Sequence, residues 1–351
     1  MKSMIESLRR SPSGNAAAAL VSAALALGSV MPAAAQDFYA GKQLTLIVGT
    51  DAGTGYDVYG RIVARHLVRL MPGKPTLIVQ NMTGAGSIRA AEHMFNIAAK
   101  DGTVIAIVFP GAVFEPLAGD KTKYRFDPTK FEYLGTADSG TRLCATALTS
   151  KVKTFKQAQQ EVAIIGASAP GGSTWDYPTM LNVLAGTKFK VVSGYKATVD
   201  IAVAVDRGEV DGWCGVDVST HTAVRPTWLP NKEVNFLVQL GLEPNPEMTG
   251  LGIPSIMEFV AGEDRKVMEL IVSQQVFQRP FLAPPGTPPA QLQTLRDAFD
   301  ATMRDTEFLT EAAKAKLTVN PRNGAQVAEL VNRLYDTPKE LVARMTKAIR
   351  P

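Results

Sequence analysis

Between Gln43 and Phe109 the chain alternates three short apolar runs with two helical periods, and this alternation limits the folds open to it more than any other feature. Leu44-Thr45-Leu46-Ile47-Val48 reads as a strand, and after a glycine-rich turn Val58 to Leu70 reads as a helix with Ile62, Leu67 and Leu70 on its buried side. Pro72-Gly73 ends that helix. Thr76 to Val79 is a second strand, Ile88 to Ala99 a second helix, and Val104 to Phe109 a third strand. Such an order demands parallel strands joined by crossover helices, with the helix N-termini gathered at one sheet edge.

The pattern restarts after Tyr133-Leu134-Gly135. Strands at Val162–Ile165, Phe189–Val192, Val210–Cys214 and Val234–Leu240 alternate with helices at about Asp176–Leu184 and Val199–Val205. Pro280 to Pro289 reads as a proline-rich crossing segment. Beyond it, Leu292–Met303, Glu307–Leu317 and Gln326–Ile349 read as amphipathic helices, broken at Asn320-Pro321 and Pro338. The fold class predicted is α/β, as two lobes, each a sheet flanked by helices, facing across a cleft. Hinge segments are predicted near Gly135–Arg142 and Arg279–Pro285. Residues 36–140 with 282–351 form the first lobe and residues 141–281 the second.

Residues 1–35 stand apart. Lys2, Arg9 and Arg10 precede an alanine-rich apolar run from Ala16 to Val30 and then Ala33-Ala34-Ala35, the pattern of a secretory signal cleaved after Ala35. The run is shorter than the ~20 apolar residues that span a bilayer. Export would place Cys144 and Cys214 where they could pair, and small buried thiols are the alternative reading. His66, His93 and His221 are scattered, so no metal site and no cofactor are predicted. With 37 basic against 33 acidic residues and a net charge of +4, no basic surface for nucleic acid is expected. At 46% hydrophobic and 20% charged residues, the chain has the composition of a folded protein.

Three loops lie between a strand and a helix. Gly49-Thr50-Asp51-Ala52-Gly53-Thr54-Gly55 offers backbone N–H groups and a helix N-terminus to an anion, or is a tight turn whose helix Asp57 caps. It lacks the lysine of a phosphate loop and the glycine spacing of a dinucleotide fingerprint. Thr83 to Ser87 is a second such loop, and Gly166 to Thr174 is a third. In the third, Ser168 has proline at position 170 where a nucleophile elbow has glycine, and a pairing with His221 has no other support, so no catalytic residue is assigned.

These residues also carry a resemblance. Leu44–Val48 with Gly53-Thr54-Gly55-Tyr56-Asp57, then Gln80-Asn81 with Gly84-Ala85-Gly86, Asp101-Gly102-Thr103, Gly194-Tyr195-Lys196, Arg207-Gly208-Glu209-Val210-Asp211 and Ala283-Pro284-Pro285-Gly286-Thr287-Pro288 run in one order. In this the chain resembles the receptors of tripartite tricarboxylate transporters, the Bug proteins, as a divergent branch. The resemblance implies a monomeric periplasmic solute-binding protein of the two-lobe, type II binding-protein fold. It would do no covalent chemistry and would deliver a small organic carboxylate to membrane permease subunits. By position, the carboxylate falls to backbone amides, hydroxyls and waters at Gly53, Thr54, Gly55 and Asp57, and at Ser168, Gly171, Gly172, Ser173 and Thr174. Further candidates are Asp51, which adds negative charge to an anion loop, Trp175, whose ring could wall a ligand or pack the core, and Lys196 and Asp211. Arg89 is a second cation to watch. A sensor read by a membrane histidine kinase, and an exported α/β enzyme, are the alternatives.

Overall fold

The computed structural model describes residues 38–119, 121–168 and 172–349, so the predicted signal segment lies outside the described residues. The strands are β1 Gln43–Val48, β2 Thr76–Asn81, β3 Val104–Ile107, β4 Glu132–Thr136, β5 Arg142–Ala147, β6 Val162–Ala167, β7 Lys188–Ser193, β8 Gly212–Asp217, β9 Val234–Leu240, β10 Pro280–Ala283 and β11 Arg322–Asn323. The longer helices are α1 Gly55–Leu70, α2 Ile88–Asn96, α3 Pro110–Ala118, α4 Ser173–Leu184, α5 Thr198–Asp206, α6 Val218–Val224 and α7 Gly262–Val272, followed by α8 Pro289–Thr302, α9 Thr306–Lys314, α10 Gly324–Tyr335 and α11 Lys339–Ile349. Two sheets result, one six-stranded in the order β11-β4-β10-β3-β1-β2 and one five-stranded in the order β7-β6-β8-β5-β9.

Each sheet has the parallel centre that the alternation dictates. β1 pairs in parallel with β2 and β3, and β6 with β7 and β8. Each is then widened by antiparallel strands beside the points where the chain crosses: β10 between β3 and β4, and β5 between β8 and β9. The sheets are therefore mixed. The proline-rich segment supplies β10, which makes Pro280–Ala283 part of the first sheet and leaves the crossing itself to the residues before it.

Apolar runs without alternation give strands buried on both faces. Leu44, Leu46, Ile47 and Val48 are all inaccessible, with Leu46 and Val48 packing toward α1 and α8 and Ile47 toward the opposite side. On α1, Val63 and Leu67 supply the buried stripe, while Arg65, His66 and Arg69 pair with Asp305, Glu307 and Glu311 at the start and middle of α9. The second core is continuous from α2 and α3 through the second sheet to α10 and α11.

The C-terminal helix packs on elements of both units. α11 packs on α4 and α7 of the second unit as well as on α3 of the first. Arg344 pairs with Asp264 on α7 at 2.6 Å, whereas Thr346 reaches the Ala118 carbonyl at the end of α3. Buried Met345 and Ala348 are the reason, since they extend the shared core rather than the first lobe alone.

Cys144 on β5 and Cys214 on β8 form a disulfide between neighbouring strands. It closes a loop of 70 residues, for which chain entropy in the unfolded state gives about 4 kcal/mol of stabilisation. A C144A/C214A double variant should lose stability of that order in chemical denaturation. Unchanged stability would show that the bond does not brace the second sheet.

Candidate functional site

The ends of β3 and β8, the loop before α2 and the start of α4 open on one cleft of about 720 Å³ between the two sheets. Its walls come from both units. Tyr56, Ala85, Gly86, Phe109 and Pro110 line it from the first, and Ser173, Thr174, Tyr177 and Asp217 from the second. Arg142, Gln275, Gln278 and Arg279 lie where the chain crosses between them.

The first-unit wall is held by one buried hydroxyl. Ser87 Oγ donates to the Gly49 carbonyl at 2.9 Å and accepts the Phe109 N–H at 3.1 Å, tying the ends of β1 and β3 to the loop before α2. Any side chain at position 49 would put its Cβ 2.5 Å from that Oγ, which is why glycine stands there. Gly84, Ala85, Gly86 and Ser87 all have positive φ, at 135°, 45°, 61° and 73°. Two non-glycine residues in that region cost about 1–3 kcal/mol each, and such strain is typical of ligand-facing loops. The loop carries Ala85 and Gly86 into the cleft.

The floor is a polar network on the crossing strands. The Gln278 side-chain amide donates through Nε2 to Asp217 Oδ2 at 2.7 Å, and the Gln278 backbone carbonyl accepts from Tyr56 Oη at 2.7 Å and Arg279 Nη1 at 3.1 Å. Asp217 Oδ1 caps α6 by accepting from Ser219 N and Oγ. Gln275 Nε2 donates to Tyr177 Oη at 2.8 Å and fixes that ring beneath Arg142, whose guanidinium lies 5.1 Å from the ring centroid. Arg279 sits 4.1 Å from the Tyr56 centroid in the same way. Burial pushes both phenols above their usual range, so they remain neutral hydrogen-bonding groups.

Beneath this floor Asp138 is 2% exposed, and its Oδ1 has no hydrogen-bond partner among the described residues. Burial, reinforced by Asp217 and opposed by Arg279, pushes its carboxyl up to about 7. A carboxyl raised in the folded state binds a proton there that the unfolded chain has released, so its contribution to stability declines as pH rises from about 4 to 7. Asp138→Asn removes this dependence. The stability of wild type relative to D138N should therefore fall between pH 5 and pH 7, by at most about 1.4 kcal/mol per pH unit, in paired urea titrations. A difference independent of pH would contradict the shift.

The structure divides the predicted site residues into two sets. Ser173 and Thr174 line the cleft, and Thr174 Oγ1 accepts from Ser168 N and contacts Ser168 Oγ, both at 2.9 Å, closing the loop from within. Gly172 is the N-cap of α4 beside them, and Gly171 lies outside the described residues. Gly53, Thr54 and Gly55 are exposed and absent from the cleft wall, as is Asp51. Asp57 accepts from Gly53 N, Arg61 Nε and Asn81 Nδ2. Although burial opposes ionisation, those donors hold its carboxyl below its usual range. Asp57 thus ties the loop to α1 and β2, and Thr54, not Asp57, is the N-cap. Asp211 accepts from Ile164 N and braces β6 against β8, Lys196 and Arg89 are exposed, and Trp175 is half-buried beside Tyr177, which takes the place on the cleft wall.

His221 does not meet Ser168. It is fully buried against Trp213 and Phe236, with neither ring nitrogen hydrogen-bonded among the described residues, and burial lowers it to about 3. Residue motifs did not reveal Tyr56, Arg142, Asp217, Gln278 or Arg279 as cleft residues. Their one sequence signal is position, since Arg142 and Arg279 are the ends of the predicted hinge segments.

No protein-family model matches the chain. A UPF0065 protein in the gbd 5′ region of Cupriavidus necator is 26% identical over 340 residues, 94% of this chain and 96% of that protein. Among solved structures, a TctC solute-binding protein from Polaromonas superposes with a TM-score of 0.67 at 18% identity, covering 87% of this chain and 99% of that one. MatC from Rhodopseudomonas palustris, solved with bound malate, and the periplasmic binding protein BugD give 0.56 and 0.57 at 18% identity, each over 88% of this chain and 99% and 98% of theirs. The chain therefore has the two-sheet α/β fold of the TctC and Bug solute-binding proteins, the family its motifs resemble. No helix among the described residues is long and apolar enough to cross a membrane.

Proposed function

We propose that this protein is an exported receptor that captures a small organic carboxylate in the cleft between its two units and delivers it to a tripartite tricarboxylate-type permease. The observation that carries the reading is the cleft itself. It lies at the strand ends of two α/β units, takes walls from both, and has polar groups from each unit converging on about 720 Å³. A ligand bridging the units binds the closed arrangement better than the open one, and that difference is what a permease can read.

Supporting observations come from the relatives and from the chain. MatC is described with malate, and a further Rhodopseudomonas palustris structure, with a TM-score of 0.56, is described with adipate. The Cys144–Cys214 disulfide fits an oxidising compartment such as the periplasm, in line with the signal pattern of residues 1–35. The lobes divide at the crossings 137–141 and 275–279, with α11 bound to both. The protein acts by binding as a monomer, without turnover.

Thermal shift of the purified protein against di- and tricarboxylates tests the reading. Micromolar binding corresponds to about −8 kcal/mol, and ligand at ~100-fold above its Kd should add ~2.7 kcal/mol to stability. Ser173→Trp, which fills the cleft from the start of α4, should abolish the shift while leaving the unliganded Tm unchanged. Chemical conversion of the bound acid, or no shift with any carboxylate, would contradict the receptor reading.

A further inference from the structure

Two arginines of the cleft form no ion pair among the described residues. Arg61, Arg225 and Arg344 each pair with an acid, but no carboxylate lies within ion-pair distance of Arg142 or Arg279 among the described residues. Arg142 gives Nη1 to the Gly215 carbonyl at 3.1 Å, and Arg279 gives Nη1 to the Gln278 carbonyl at 3.1 Å. In both, Nε is buried without a partner. Each guanidinium lies over a tyrosine ring, Arg142 at 5.1 Å from the Tyr177 centroid and Arg279 at 4.1 Å from that of Tyr56. The carbonyl and the ring fix the orientation of each group, and both groups line the cleft.

The hydrogen bonds of the nearby acids go to other groups. Both oxygens of Asp217 are engaged by Ser219 and Gln278. Asp138 is buried under the floor, where its raised carboxyl is partly protonated near neutral pH. Glu115 and Asp176 also line the cleft, and Glu115 Oε2 accepts from Tyr124 Oη at 3.5 Å. A half-buried guanidinium without a counter-ion is costly, and an anion entering the cleft relieves that cost. Its planar fork matches a carboxylate through two parallel hydrogen bonds, a geometry that an ammonium cannot reproduce.

The two forks also belong to different parts of the fold. Arg142 is the first residue of β5 in the second sheet, and Arg279 immediately precedes β10 in the first. We propose that Arg142 and Arg279 anchor the two carboxylates of a dicarboxylate ligand, so that these guanidinium groups, one at the edge of each sheet, set the preference for dicarboxylates over monocarboxylates. This deepens the receptor reading and rests on it. It moves the anchor from the loop amides to side chains at the cleft floor.

Calorimetric titration of the purified protein with malate, adipate and butyrate tests the proposal. Wild type should bind one of the two dicarboxylates at least tenfold more tightly than butyrate. R142Q and R279Q should each weaken that dicarboxylate by tenfold or more and collapse its advantage over butyrate. R142K and R279K, which keep the charge without the fork, should fall between, and Tm values separate lost binding from lost folding. Folded Gln variants that bind within threefold of wild type would overturn the anchor while leaving the receptor reading intact. Failure of wild type to bind any carboxylate would overturn both.

Discussion

The structure depends on the pairing of two crossing segments, residues 136–142 and 275–280. Gln278 N donates to the Asp138 carbonyl, Gly140 N to the Gln275 carbonyl and Ala137 N to the Arg279 carbonyl, so the segments run together as a short ladder between the sheets. Asn320 ties the loop between α9 and β11 to it through Ala137 and Ser139. The same segments carry Asp138, Arg142, Gln275, Gln278 and Arg279. Backbone pairing that sets the relation of the two sheets therefore also sets the charged groups at the cleft floor, and bending these few residues changes both at once.

That coupling has an electrostatic side. Taken with Asp217 and Asp138, the floor holds two guanidinium groups and two carboxyls, yet one carboxyl is raised by burial and the other is committed to hydrogen bonds. The two guanidinium groups thus face the cleft while their printed hydrogen bonds go only to backbone carbonyls. In water-excluded surroundings such charge attracts an anion more strongly than surface lysines such as Lys196 can. Closing the units around the anion would strengthen the attraction by removing more water.

Much of this architecture is legible in the sequence because local rules enforce it. The alternation from Gln43 to Phe109 dictates parallel pairing, and the motifs shared with the Bug receptors turn out to specify turns and braces. Asn81 bonds to Thr50 and Asp57, Asp101 caps its own turn through Thr103, and Asp211 braces two strands. Their role in the fold explains why they signal family likeness so well. The cleft floor is assembled from residues far apart in the chain, such as Tyr56 with Gln278 and Tyr177 with Gln275, and no local period or spacing records such contacts. The antiparallel strands β5 and β10 were hidden for the same reason, since their partners lie across the crossings.

The central claim is that a carboxylate ligand sits on the cleft floor between the sheets. A crystal structure of the protein grown with a dicarboxylate tests it most directly. Ligand density within hydrogen-bond reach of Arg142 and Arg279, between Tyr56 and Tyr177, is the result this account predicts. Density seated instead on the exposed Gly53-Thr54-Gly55 loop, with the floor empty, would contradict it.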